Sequence, residues 1–496
     1  MNLVDKINFE RVIDSAILAK GEKGLAGIAS SAQLRPWIMS GLYLGSDAAA
    51  VFLSWILAYF LRDLAGGVLL PELYIELWPF VFLFLLAYAA TGLYPAVGVP
   101  PVEEIRRTTI ATTIVFTMLA AWIFLSRLGF VYSRIIFMLS WGFAALFVPL
   151  GRAATRRICA RKKWWGVPVV ILGAGKTGHM VVKTLLKTPG LGLSPVAVLD
   201  DDPQKRGDIE GVPVIGGVEV APHLAKKLKL RYAILAMPGV PRERLLYLIE
   251  RYASLFSHLL LIPDLFGFAS LWVYPKDLNG ILCLEVRQQL LRTGPRVAKS
   301  VLDFAIAIFV FAFALILIPL IAIAIKLDSP GPVFYGQLRY GRDGQPFKAW
   351  KFRTMVVNAD KILDEHLAKH PELKEEWEKD QKLRNDPRIT RVGKYLRKTS
   401  LDELPQVWNV IRGEMSIVGP RPIVQSEIEK YGKSYALYTK VKPGITGLWQ
   451  VSGRNDLSYE ERVTLDSYYV RNWSVWLDIY ILARTVPVAL FGKGAY

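Results

Sequence analysis

Four long apolar runs follow a polar N-terminal tail, residues 1–36: roughly Trp37 to Leu61, Leu73 to Tyr94, Thr109 to Ser126 and Val131 to Leu150. Each is long enough to cross a hydrocarbon core as a helix, so residues 37–150 are expected to form a four-helix transmembrane region. The tail lacks a compact apolar segment of the signal-peptide kind and is expected to persist in the mature protein. Arg152, Arg156, Arg157, Arg161, Lys162 and Lys163 follow the fourth run, and Arg106 and Arg107 sit between the second and third. By the positive-inside rule both places are cytosolic, which puts the N-terminus and everything beyond residue 151 on that side.

The pattern then changes. Val169-Val-Ile-Leu-Gly-Ala-Gly-Lys-Thr-Gly178 is an apolar strand running into Gly-x-Gly-x-x-Gly, and Val196-Ala-Val-Leu-Asp-Asp-Asp202 is a second strand ending in acids. Strand, glycine turn, helix and acidic strand in that order predict an α/β Rossmann-like domain at 164–290. Gly173, Gly175 and Gly178 could cradle a nucleotide, but no Tyr-x-x-x-Lys is there to serve hydride chemistry. A structural or regulatory module is the preferred reading, with nucleotide binding kept open.

A fifth apolar run, Phe304 to Ile325, contains Pro319. Its length suits a complete span, yet Arg292, Arg296 and Lys299 precede it and Lys326, Arg339 and Arg342 follow. Cations at both ends, and the need for cytosolic substrates beyond it, favour a re-entrant helix at about 300–326, bent at Pro319 and returning to the face it entered. Residues 291–496 are then expected to form a mostly α-helical domain that, as the resemblance noted below implies, is monotopic and catalytic. Near its end, Asn472-Trp-Ser-Val-Trp-Leu-Asp-Ile-Tyr-Ile-Leu-Ala-Arg484 predicts an amphipathic interfacial helix with Trp473 and Trp476 at head-group depth.

Composition adds partners. A hydrophobic share of 52% in 496 residues agrees with a membrane protein, and a net charge of +18 asks for anionic partners. The cations flank apolar segments, which favours membrane lipids or a phosphorylated substrate over nucleic acid. Cys159 and Cys283 have neither disulfide nor metal-ligand spacing, and His366 and His370 lie on a charged helix that suits a solvated face better than zinc.

The candidate chemistry lies in Thr399-Ser-Leu-Asp-Glu-Leu-Pro-Gln and, downstream, Ser416-Ile-Val-Gly-Pro-Arg-Pro422. Adjacent Asp402 and Glu403 can divide two tasks, one carboxylate attacking phosphorus and the other holding a divalent metal, while Arg421 presents a planar fork to phosphate oxygens. The rival is a capping box from Ser400 to Glu403, which Pro405 weakens because it fits better as the first helical residue. Arg388, Arg391, Lys394 and Lys398 fall on one helical stripe that could neutralise phosphates or meet a membrane surface. In the loop Lys442–Asn455, Lys442 and Arg454 are further cations, and Trp449 could stack on a base or anchor at an interface.

Lys351-Phe-Arg-Thr-Met355, Asn385-Asp-Pro-Arg-Ile-Thr390, Thr399-Ser-Leu-Asp-Glu-Leu-Pro-Gln406, the Arg421 segment and Lys442-Pro-Gly-Ile-Thr-Gly-Leu-Trp-Gln-Val-Ser-Gly-Arg454 together resemble the polyprenyl-phosphate hexose-1-phosphate transferases, the large monotopic phosphoglycosyl transferases of bacteria. The front half resembles the long members of that family, in its galactose branch. One departure is Ser300 in Lys299-Ser-Val-Leu-Asp303, where the family commonly has arginine. The resemblance implies a UDP-sugar bound with Mg2+, attack by Asp402 on the phosphate next to the sugar, departure of UMP, and transfer of the sugar phosphate to undecaprenyl phosphate. It implies Glu403 as metal ligand, Arg421 on phosphate oxygens, and Lys351 and Arg353 as supporting charge. It also implies a bacterial inner-membrane enzyme of O-antigen, capsule or exopolysaccharide synthesis, facing the cytoplasm; a homodimer is a further expectation. The rivals are a membrane-tethered nucleotide-sugar oxidoreductase and a non-enzymatic assembly scaffold.

Overall fold

The structure, a computed structural model, describes residues 34–67, 71–126, 132–162, 164–264, 273–277, 282–286, 289–370, 386–453 and 457–491. Its contacts divide the chain into two units, Met1–Leu265 and Phe266–Tyr496. Residues 266–290, expected to close the Rossmann-like domain, therefore fall in the second unit.

The first unit opens with four helices long and apolar enough to cross a membrane: α1 (Leu34–Leu64), α2 (Pro71–Ala90), α3 (Pro101–Leu125) and α4 (Arg134–Cys159). Val51, Phe84, Phe116 and Val148 pack inside, while Phe82, Leu86, Met118 and Met138 face outward. Apolar side chains on both faces suit surroundings of hydrocarbon rather than water. Arg152 and Arg156, expected as loop charge, serve as internal struts instead. Arg152 is wholly buried and pairs with Asp47 at 2.6 Å and Glu104 at 3.2 Å, and Arg156 pairs with Glu104.

Beyond α4 lies a six-stranded sheet in the order β3-β4-β2-β1-β5-β6, with β1 at Val167–Leu172, β2 at Leu193–Leu199, β3 at Gly207–Ile209, β4 at Val212–Gly216, β5 at Tyr232–Leu235 and β6 at His258–Leu261. All pairs are parallel except β3 with β4. β1 is buried on both faces, which is why it is a continuous apolar run. Val169 and Ile171 meet α5 (Lys176–Lys187) through Val182 and Leu185. Val170 and Leu172 meet α6 (Ala221–Leu228) and α7 (Arg242–Ala253) through Leu224 and Leu248. Within this unit one end of the helix group joins the sheet: Met39, Tyr43, Ala96 and Val99 cluster with Trp165 and Val167.

The second unit begins with the antiparallel hairpin β7 (Val273–Asp277) and β8 (Leu282–Val286), followed by α8 (Thr293–Asp328). α8 stays helical through Pro319. Near its start Lys299 Nζ bridges Asp303 Oδ1 at 2.9 Å and Asp478 Oδ2 at 2.8 Å, and Asp303 Oδ2 accepts from the Ser416 hydroxyl. At its end Ile325 packs with Phe352 and Leu396, and Asp328 accepts from the Val392 amide at 2.9 Å. Between these anchors Phe309, Phe313, Leu320 and Ile323 point outward. A second hairpin, β9 (Phe334–Tyr340) with β10 (Pro346–Phe352), precedes α9 (Ala359–Lys369), α10 (Arg391–Lys398) and α11 (Gln406–Ile411). Then come parallel β11 (Ser416–Val418) and β12 (Gly444–Thr446), α12 (Tyr459–Asn472) and α13 (Val475–Phe491). Trp473, expected at head-group depth, is buried within the protein, and its indole N–H donates to Asp478 at 3.0 Å.

Candidate active site

Asp402 and Glu403 lie in a short 3-10 turn, Leu401–Glu403, squeezed between α10 and α11. The chain enters that turn through Ser400 in the left-handed region, φ 55°, a conformation a non-glycine residue holds only when its surroundings impose it. The Ser400 side chain makes no capping bond here, so the pair is not a capping box. α11 begins one residue later than expected, with Pro405 at its N-cap, and the acids precede it.

Lys351 on β10 is the centre of charge. Its ammonium lies 2.6 Å from Glu403 Oε1 and 3.8 Å from Asp402 Oδ2, so one cation serves two acids. Burial pushes the Asp402 carboxyl above its ordinary value; Lys351 and Arg397 pull it down, and the Glu403 charge pushes it up again. Burial would raise Glu403 too, but Lys351, Arg421 and Arg339 outweigh it and hold Glu403 below the usual carboxylate range.

Arg421 enters from the turn after β11. That turn runs against the loop leading into β12: Gly444 N–H donates to Pro420 at 2.7 Å, and a Cβ on Gly444 would lie 2.1 Å from the Gly419 nitrogen. Only glycine permits so close a backbone approach. Lys351, Glu403, Arg421, Arg339, Gln406 and Gln450 line the resulting cleft.

Several expected ligands lie elsewhere. Arg353 donates to the Ser329 and Pro330 carbonyls at 2.6 and 2.8 Å and closes the end of α8, so its expected role as supporting charge is replaced by a structural one. Arg388 forms a two-pronged pair with Asp386 at 2.8 and 2.6 Å and precedes α10 rather than sharing its stripe. Arg391, Lys394 and Lys398 are exposed on α10. Lys442 is half-buried; burial lowers its pKa and the nearby Asp303 charge opposes that. Trp449 is buried, with the guanidinium of Arg421 at 5.8 Å and of Arg462 at 5.0 Å from its ring centre. Arg454 lies outside the described residues.

Three residues of the site are not marked as such by the sequence. Arg339 reads there only as flanking charge, yet it sits inward on β9, donates to the Pro422 carbonyl at 3.0 Å and lines the cleft. Arg397, next to the stripe residue Lys398, is the second cation acting on Asp402 and donates to Thr354 at 3.0 Å. Gln450, between Trp449 and the glycines, carries no charge to draw notice. An arginine alternating with apolar residues in Leu338-Arg-Tyr340 is the available signal for Arg339.

The glycine turn of the first unit is built differently. Gly173 has φ 112°, and a Cβ on Gly178 would lie 2.0 Å from the Gly173 oxygen. Asp200, at the end of β2, accepts from the Ala174 amide at 2.7 Å and from Lys205 at 3.3 Å on both oxygens.

With that geometry in place, comparison with known proteins is specific. Residues 294–492 match the family described as bacterial sugar transferase, and residues 89–263 match a CoA-binding domain. A UDP-galactose-lipid carrier transferase of Erwinia amylovora is 39% identical over 79% of this chain and 82% of its own length. An undecaprenyl-phosphate galactose phosphotransferase of Salmonella typhimurium is 37% identical over 74% and 77%. A UDP-glucose:undecaprenyl-phosphate glucose-1-phosphate transferase of Escherichia coli is 37% identical over 66% and 68%. The chain is an enzyme of the transferase class and belongs to the bacterial sugar transferase family.

Proposed function

We propose that this protein transfers a hexose 1-phosphate, galactose 1-phosphate in the first instance, from a UDP-sugar to undecaprenyl phosphate with release of UMP. The observation that carries the reading is the Lys351 ammonium shared unequally by Asp402 and Glu403 beside Arg421. Glu403 takes the nearer position and stays ionised. Asp402, less compensated, keeps the more basic carboxylate and is the nucleophile.

An Asp402 oxygen forms a bond to the phosphorus next to the sugar as the bond from that phosphorus to the UMP oxygen breaks. The electron pair leaves with UMP, and a sugar-phosphoryl aspartate remains. A phosphate oxygen of undecaprenyl phosphate then attacks the same phosphorus and returns Asp402 as a carboxylate. Arg421 and Arg339 hold phosphate oxygens, and Lys351 screens the repulsion between an anionic nucleophile and a diphosphate. Mg2+ is ordinarily held by one or two carboxylates with substrate phosphates completing its shell, and Glu403 suits that role. When bound, it would act as a Lewis acid toward the diphosphate.

The membrane arrangement belongs to the same proposal: a four-helix span for residues 37–150, a Rossmann-like domain without catalytic role, and a monotopic transferase domain on the cytoplasmic face of the inner membrane. A straight helix of 36 residues is about 54 Å long. A full crossing would carry its ends to opposite faces, whereas Lys299 and Asp328 are both held by residues of one unit. That supports a re-entrant α8 with its apolar flank in lipid.

The test is UMP release by purified protein in nanodiscs with Mg2+ and undecaprenyl phosphate, across UDP-galactose, UDP-glucose and their N-acetyl forms. Lipid-dependent release from UDP-galactose, lost in Asp402→Asn, is the expected result. Release from UDP-glucose alone would move the substrate to that of the E. coli relative, and release from none would overturn the reading.

A further inference from the structure

Lys351, the two acids and Arg421 stand on three separate segments, and one residue, Asn409, joins them. Asn409 on α11 is fully buried. β9 takes one edge of β10; on the other edge the Trp350 N–H donates to Asn409 Oδ1 at 3.1 Å, and Asn409 Nδ2 donates to the Lys348 carbonyl at 2.8 Å. Nδ2 also donates to Glu414 Oε2 at 2.6 Å. A carbonyl and a carboxylate only accept and a backbone N–H only donates, so these partners fix which way round the amide stands. The backbone carbonyl of Asn409 accepts from the Glu414 and Met415 amides at 2.9 and 3.2 Å, where the chain leaves α11 for β11 and, beyond it, Arg421.

A side-chain amide that bonds an N–H and a carbonyl on one edge of a strand does there what a further strand would do. Sliding or turning α11 along β10 would break both bonds in a buried place and leave their groups unpaired. Trp350 is the neighbour of Lys351, and α11 follows directly on the turn that carries Asp402 and Glu403. Val407 N–H to the Leu404 carbonyl at 3.2 Å and Trp408 N–H to the Pro405 carbonyl at 3.1 Å tie the helix to that turn. We propose that Asn409 is a positioning residue for the pair formed by Lys351 and Glu403: its side chain fixes α11 to the edge of β10, and with it the distances from the shared ammonium to the two carboxylates. The inference deepens the proposed function and rests on it.

Those distances, 2.6 Å to Glu403 and 3.8 Å to Asp402, decide which acid is left short of charge. A lysine stem is flexible and its ammonium follows the nearer carboxylate, so the inequality is set by where the two backbones stand rather than by the side chain. A substitution at residue 409 removes the bonds to β10 and spares the backbone bonds to Glu414 and Met415. It therefore loosens Lys351 from the acids while the link toward Arg421 stays.

The experiment measures kcat and KM for the UDP-sugar in nanodiscs with undecaprenyl phosphate. It compares wild type, Asn409→Ala, Glu414→Ala and Lys351→Met, and each of the first two changes combined with Lys351→Met. Asn409→Ala should lower kcat about 10- to 100-fold, the scale of a misplacement of about 1 Å at a reacting centre, with KM kept within about twofold. Added to Lys351→Met, the same change should cost no more than about threefold, because the group it positions is already gone. Glu414→Ala, at a partly exposed site, takes away one brace of the amide and should lower kcat by a smaller factor that also vanishes without Lys351. In parallel, acylation of Lys351 by an amine reagent, followed by mass spectrometry, should be several-fold faster in Asn409→Ala, with the exposed Lys394 unchanged. Losses that add in full to that of Lys351→Met, a loss confined to KM, or Lys351 acylation no faster than in wild type would each overturn the proposal. Should Asn409→Ala fail to fold, the Glu414→Ala cycle judges it by the same additivity. Wild type that releases UMP from no UDP-sugar would instead remove the function reading, and the acylation comparison would still judge the placement of Lys351.

Discussion

Each unit sets acids against a lysine, and the two settings have opposite outcomes. In the first, Asp200 has both oxygens engaged: the Ala174 amide on one, the Asp202 amide on the other, and Lys205 on both. Burial pushes its carboxyl up, but those bonds outweigh burial and hold it below the ordinary value. In the second, Asp402 and Glu403 compete for Lys351, and the loser, Asp402, is pushed up. An acid with both oxygens bonded stays ionised below its usual range, whereas a buried acid left short of partners is the more basic one. The place that resembles a nucleotide site by its glycines is the self-contained one.

The sharpest way to break this contrast is Asp402→Asn. If Asp402 is the nucleophile, as proposed, the change should lower UMP release at least ~1,000-fold and abolish covalent labelling by a radioactive UDP-sugar, because an amide cannot form the sugar-phosphoryl aspartate. Normal turnover in that variant would put the chemistry elsewhere. Lys351→Met should cost about 100-fold near neutral pH, the scale of removing one preorganised charge from a reacting centre. It also tests the sign of the competition: Lys351 lowers Asp402, so without it the acid limb of the pH–rate profile should move to higher pH. A limb that stays put would mean that the shared ammonium does not set the nucleophile.

Asp200→Asn is the matching change in the first unit. Its folded pKa is depressed, so its contribution is present above the unfolded value and is lost as pH falls through the folded one. The variant should lose about 1–3 kcal/mol of stability near neutral pH, converge with wild type in acid, and keep turnover within twofold. A large loss of turnover in well-folded protein would make the glycine turn part of the catalytic apparatus. The smallest effect is expected from Gly175→Ala: its φ is −71° and an added Cβ meets nothing within 4 Å, so melting midpoint and rate should both match wild type.

How much of this was legible depended on range. The apolar runs were recovered as helices, because length and hydropathy are properties of consecutive positions, but α3 starts earlier at Pro101, α4 ends later at Cys159 and α8 starts earlier at Thr293, in polar flanks that hydropathy does not mark. The glycine turn and β1–β2 followed their motif, since strand, turn and helix are neighbours in the chain. Asp402 and Glu403 were visible because they are adjacent and Pro405 restricts the backbone just after them. The residue 290 boundary was not visible, because the apolar hairpin β7–β8 has the strand pattern of either unit and only its contacts assign it.

The chain by itself determined where apolar helices run, where the α/β sheet begins and where two acids stand side by side ahead of a proline, since each depends on spacings of a few residues. Only the tertiary structure decided which cations those acids meet. Lys351 and Arg353 occur two residues apart in one strand-and-loop motif, yet the first reaches Glu403 while the second turns to the end of α8. Arg152 left its expected loop for a buried pair with Asp47. Those outcomes rest on charges brought together from distant parts of the chain. A Coulomb interaction depends on distance and burial, and neither is written in the order of residues.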